Sequence, residues 1–134
     1  MTLSNFDDLL RAARSQAQPQ RLLFVFAGAA LPDDSTQEQA IRFANGEGGT
    51  LLPLMAVDKA PDELVDFPTL VEESLQFGPT WQILFAAAVA GRNGSAPSAA
   101  QVEPALQEMV ESIRQDRHGA WMPFDRQGDL VVFG

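Results

Sequence analysis

Residues 21–29 read RLLFVFAGA and residues 81–90 read WQILFAAAVA. Neither run alternates between apolar and polar positions. A strand with one wet face alternates, so these two runs call for cover on both faces, as in the interior of an α/β sheet. Both are far short of the roughly 18 apolar residues that a bilayer span requires. The rest of the chain must therefore supply helices to sheathe two buried strands.

It contains such helices. Ser4 is placed to cap a first helix over about 5–15, with Asp7 and Asp8 in its first turn and Phe6, Leu9, Leu10 and Ala13 at helical spacing. After the first apolar run comes a loop, Leu31-Pro32-Asp33-Asp34. Ser35 or Thr36 then caps a second helix, with Gln37, Glu38 or Gln39 at the capping-box position. The glycines of NGEGG at 45–49 stop that helix. A strand over 50–57 follows, and Pro53 assigns it to a sheet edge or a bulge. Pro68 divides the next segment into a short turn and a third helix, which Gly78-Pro79 ends. A fourth helix spans about 99–117, with Val102, Leu106, Met109, Val110 and Ile113 as one stripe. A strand over 120–124, a turn over 125–129 and a hairpin strand over 130–133 complete the chain.

The 134 residues suit one domain, and about two-thirds of the unfolded surface of such a chain can be buried. Cysteine is absent, which removes disulfides, thiolate metal sites and cysteine nucleophiles. The net charge of −9 is uneven. Residues 1–60 hold seven acids against five bases, and residues 61–134 hold eleven against four. Phosphate neutralisation drives nucleic-acid binding, so no nucleic-acid partner is expected, and anionic membranes are disfavoured likewise. The opening residues 1–8 lack a basic stretch followed by an apolar one. The expectation is a soluble, cytoplasmic protein.

Shifting the chain by 61 residues aligns Phe6 with Phe67, Leu9 with Leu70, Leu22 with Ile83, Leu23 with Leu84 and Phe24 with Phe85. Leu52-Pro53-Leu54 parallels Met122-Pro123-Phe124. Two architectures follow. One is a helix–strand–helix–strand unit used twice, over 5–58 and 66–133, as two βαβ-like halves about a pseudo-two-fold axis. The other is an unduplicated α/β or α+β sandwich with a mixed sheet. Both have about five strands and about four helices.

The candidate chemistry is sparse. His118, the single histidine, can serve as a base, yet a cation at a helix C-terminus has a plain capping role. Asp33 and Asp34 follow a buried strand, where α/β proteins bind ligands, but Asp-Asp-Ser is also ordinary cap chemistry. The glycines of 46–49 precede a strand, the reverse of a phosphate-binding loop. Arg92-Asn93-Gly94-Ser95 lies between a strand and a helix, so it can hold an anion or simply turn the chain. Asp58-Lys59 and Asp125-Arg126 each follow a proline-bearing strand. Duplication would let them face one shared cleft, and solvated turns are the simpler use. Trp121 and Phe133 sit on the C-terminal hairpin, where exposed aromatics mark an interface.

The segments Asn5-Phe6-Asp7-Asp8-Leu9-Leu10-Arg11-Ala12-Ala13, Leu22-Leu23-Phe24-Val25-Phe26 and Pro123-Phe124-Asp125-Arg126-Gln127-Gly128 resemble a set of short proteobacterial proteins of unknown function. Some of these carry the label of a ribonucleotide reductase alpha subunit. That activity resides in a much longer barrel and uses cysteines, so the resemblance implies at most an accessory role in nucleotide metabolism. The expectation is a non-catalytic binding or protein-interaction module without metal or cofactor. Its partner is a protein, with a second copy of the chain included. The alternative is a small enzyme or metabolite sensor that binds an anion or nucleotide. Its ligand would lie among Asp33, Asp34, Asp58, Lys59, Arg92 and Arg126.

Overall fold

The computed structural model describes residues 5–30, 36–44, 50–78, 80–115, 117 and 121–131. Helix α1 is Phe6–Arg14, and its cap is Asn5, whose Oδ1 accepts the Asp8 amide at 2.9 Å. The expected cap, Ser4, lies outside the described residues. Strand β1 is Gln20–Ala30, helix α2 is Gln37–Ala44 and strand β2 is Thr50–Lys59. Thr36 and Gln39 form the capping box of α2, each side chain bonded to the other's backbone amide. A 3₁₀ turn, Pro61–Glu63, precedes helix α3, Phe67–Phe77. Asp66 caps α3, and Pro68 sits in its first turn, where a missing N–H costs nothing. Strand β3 is Ile83–Ala90, helix α4 is Ala99–Arg114 and strand β4 is Met122–Phe124. Pro104 lies inside α4, so the Ala100 carbonyl loses its usual helical donor on the exposed side.

The sheet runs β2-β1-β3-β4, and every pairing is antiparallel. The sheet has four strands among the described residues; the expected fifth, over 130–133, lies partly outside them, and Leu130 makes a single bridge to Phe124. The strand direction is a correction, since βαβ-like halves and a mixed sheet both imply parallel neighbours. A non-alternating apolar run reports cover on both faces, and antiparallel strands between helices satisfy that equally.

The cover divides in two. Phe24, Phe26, Leu22, Leu84 and Ala86 face α1 and α3, joined by Phe6, Leu70, Trp81 and Phe124. Leu23, Val25, Ala27 and Phe85 face α4, against Val102, Met109 and Ile113. Phe6 anchors the first core, its ring 4.9 Å from Phe67 and 5.7 Å from both Phe24 and Phe124. Trp81 is fully buried, and its Nε1 donates to Ser74 Oγ at 2.8 Å.

The ungapped strand match is not a symmetry of this sheet. Leu22 and Phe24 belong to the first core, while Ile83 and Phe85 belong to the second. Antiparallel neighbours can be related only by a two-fold normal to the sheet, which keeps each residue on its face. The shift between strands must therefore be even.

Candidate functional site

Strand β2 lies at the edge of the sheet, as Pro53 foretold, and it also carries a bulge where the register slips between Phe26 and Ala27. The bulged residue is Leu54, between Pro53 and Met55, and its methyl packs over Gly28, so closely that a Cβ there would fall 2.7 Å from it. Leu52 and Leu54 remain 38% and 39% exposed. Among the described residues β1 is the sole strand partner of β2. The opposite edge strand, β4, is short, and Val131 N–H donates to its Pro123 carbonyl at 2.9 Å.

Asp58 and Lys59 end β2, and as strand neighbours they point to opposite faces. Asp58 accepts from Arg21 Nε at 2.7 Å, and Arg21 also donates to Glu63 at 2.9 Å. The Asp58 hydrogen bond holds the Arg21 proton more firmly than usual, against partial burial, with the fields of Asp58 and Glu63 adding to it. The Glu63 carboxylate accepts the Ala60 amide as well, and this backbone bond, then Arg21, keeps its pKa below the ordinary glutamate value. Lys59 points to the other face and pairs with Glu73 of α3 at 2.9 Å. They rim a small hollow of about 60 Å³ floored by Phe26, Met55, Val57 and Leu70.

Arg92 starts a tight turn. Its amide and carbonyl bond to Ser95 at 3.0 and 2.9 Å, and Asn93 and Gly94 take φ of 53° and 80°. The Gly94 amide donates to Gln18 at 2.9 Å. These amides are spent within the fold, so the turn is not an open anion cradle. Arg126 lies over the Trp81 ring at 6.0 Å, and Asp125 accepts the amides of Gln127 and Asp129 as a turn former. Asp58 and Lys59 lie beside the start of β1, whereas Asp125 and Arg126 follow a strand paired with the start of β3. In antiparallel strands these starts are at opposite ends, so the two pairs do not share a cleft. Trp121 packs against the α4 core, and its buried Nε1 has no hydrogen-bond partner among the described residues. Asp33, Asp34, His118, Phe133 and the glycines of 46–49 lie outside the described residues.

Sequence reasoning missed the hub role of Arg21, which looked like the polar margin of an apolar run. It also missed a groove of about 300 Å³ between the end of α1 and the 3₁₀ turn, where Arg14, Gln16, Gln18, Gln20 and Asp62 alternate with alanines and prolines. Arg14 is fixed there by the Leu64 carbonyl at 2.8 Å. No described trio of His, Cys, Asp or Glu is placed to hold a metal, and no described helix is long and apolar enough to cross a membrane. Comparison of the chain with protein-family models, with curated proteins and with solved structures returns no match.

Proposed function

We propose that this chain is a non-catalytic binding module, and that its partner is a protein received along the outer edge of β2, which no described strand covers. The middle of that strand carries the reading. From Leu51 to Val57 it holds no charge, and two of its leucines are more than a third exposed. Proteins protect free edges with charge, proline or a bulge. Here proline and a bulge are present, but charge appears only at the strand's end, where Arg21 and Glu73 already engage it. An uncharged edge is suited to strand addition, in which the backbone supplies affinity and alternate side chains supply selectivity. A second copy is a poor occupant, since it would bring together two chains of charge −9.

Duplication belongs to the same proposal. Each half runs helix, strand, helix, strand, and β1 and β3 are antiparallel neighbours. Asn5 and Asp66 cap α1 and α3 one residue before Phe6 and Phe67. A one-residue slip between helix and strand would bring the halves into phase. A cytoplasmic location is also proposed, in keeping with the cysteine-free, acidic composition.

An NMR titration of the full chain with a panel of extended ten-residue peptides tests the edge. Shifts should concentrate in β2 amides and vanish in the double variant Leu52→Lys, Leu54→Lys. Peptides that perturb other elements and leave β2 unmoved would refute the reading. The groove beside Arg14 supports a second reading, a sensor of a small polar metabolite. A metabolite thermal-shift screen, with Arg14→Gln as control, tests that one.

A further inference from the structure

We infer that the segment taken up by β2 is an extended, basic stretch of another protein, with lysines or arginines alternating with apolar residues. The inference rests on the β2 edge reading above and adds the chemistry of the occupant.

The edge lies between two helices. On one face α3 leans over β2, with Leu70 and Glu73 beside Met55, Val57 and Lys59. On the other face α4 packs against β2, and Leu51 joins its core. An incoming strand would therefore run between the flanks of these helices. The packed stripe of α4 is Val102, Leu106, Met109 and Ile113. At 100° per residue Glu103 falls about 90° to one side of that stripe, and Glu108 lies about 130° to the other, nearer the solvent back of the helix. Both are exposed, and neither has an ion-pair partner among the described residues. On α3 the flank toward β2 carries Glu73, whose side chain stays 46% exposed while it holds Lys59. At the strand's end Asp58, Asp62 and Glu63 are matched by Arg14, Arg21 and Lys59. The two flanking helices are nonetheless acidic, α3 with Glu72 and Glu73 and no base, α4 with Glu103, Glu108 and Glu111 against Arg114, while the edge itself is apolar.

A strand that complements both must offer apolar residues to Leu52 and Leu54 and cations to the flanking helices. Complementary charge raises the encounter rate and excludes acidic competitors. Nucleic acid meets the wrong sign here, and an acidic or second identical chain is repelled.

The test is fluorescence anisotropy with the full chain and three labelled ten-residue peptides, in which valine alternates with lysine, serine or glutamate. The lysine peptide should bind at least about tenfold more tightly than the glutamate peptide, and the gap should close as salt rises to about 1 M, where the screening length is about 3 Å. Glu103→Lys with Glu108→Lys, both exposed positions, should erase most of the lysine preference and leave the serine peptide unchanged. Leu54→Lys should weaken the lysine and serine peptides alike. Equal binding of all three peptides at β2, read by amide shifts, would overturn the basic-partner inference and leave the edge intact. Binding of the lysine peptide without β2 shifts, or no binding of any peptide, would overturn both.

Discussion

The Trp81 indole donates to the Ser74 hydroxyl over 2.8 Å inside the first core, and Ser74 in turn donates to the Val71 carbonyl at 2.6 Å. The chain of bonds ties the residues before β3 to the middle of α3. Ser74→Ala removes the acceptor and strands a buried N–H, which costs about 1–3 kcal/mol. Urea unfolding should show the midpoint fall with an unchanged slope. In a cycle with Trp81→Phe, the second substitution should cost less once the first is present.

Trp121 supplies the contrast. Its indole N–H is buried without a partner among the described residues, so Trp121→Phe relieves an unmet donor while losing ring volume. We expect Trp121→Phe to cost less than Trp81→Phe, by about 1 kcal/mol or more. Equal losses in chemical denaturation would show that ring volume alone decides both sites.

Gly128 has φ of 85°, and a Cβ built there would sit 3.0 Å from the Phe67 ring. Gly94 has nearly the same φ of 80° with open space around it. Alanine at Gly94 should cost about 1 kcal/mol for the backbone alone. Alanine at Gly128 should cost more, because Phe67 packs at a tilt against Phe6 and cannot retreat freely. Thermal denaturation of the two variants side by side reads the difference directly.

Acid should weaken the fold through Glu63 and Asp66. Glu63 is held below its ordinary pKa first by the Ala60 amide, and Asp66 by the hydroxyl and amide of Thr69. A depressed carboxylate stabilises the fold above its unfolded pKa, and that contribution fades as pH falls through the folded value. The fall therefore begins near the ordinary carboxylate range, about pH 4, and continues below it. Asp66→Asn keeps an acceptor for the Thr69 amide but cannot titrate. Urea midpoints between pH 7 and pH 3 should decline less steeply for this variant than for the parent chain.

The capped start of α2, the division before α3 and the edge position of β2 were legible because each rests on local chemistry. Thr36 and Gln39 box the start of α2, Pro68 sits in the first turn of α3, and Pro53 cannot serve a central strand. Strand direction was not legible, because Leu22–Ala27 and Leu84–Ala86 would look the same between helices in either sense. The site was less legible still. Asp58, Lys59, Arg92 and Arg126 stand out as charges in sequence, yet each is committed to a partner or a turn inside the fold. The more telling residues, Leu52 and Leu54, look like ordinary core leucines until their exposure is known.

The pairing of β1 with β3 joins residues 20–27 to residues 83–90. Closing so wide a loop carries a heavy entropic toll before any contact rewards it. During synthesis the first sixty residues would leave the ribosome with one flank of β1 still vacant. Phe24 and Val25 must wait for the second half of the protein to arrive, and in that interval the nascent chain is most open to chaperones and to misassembly.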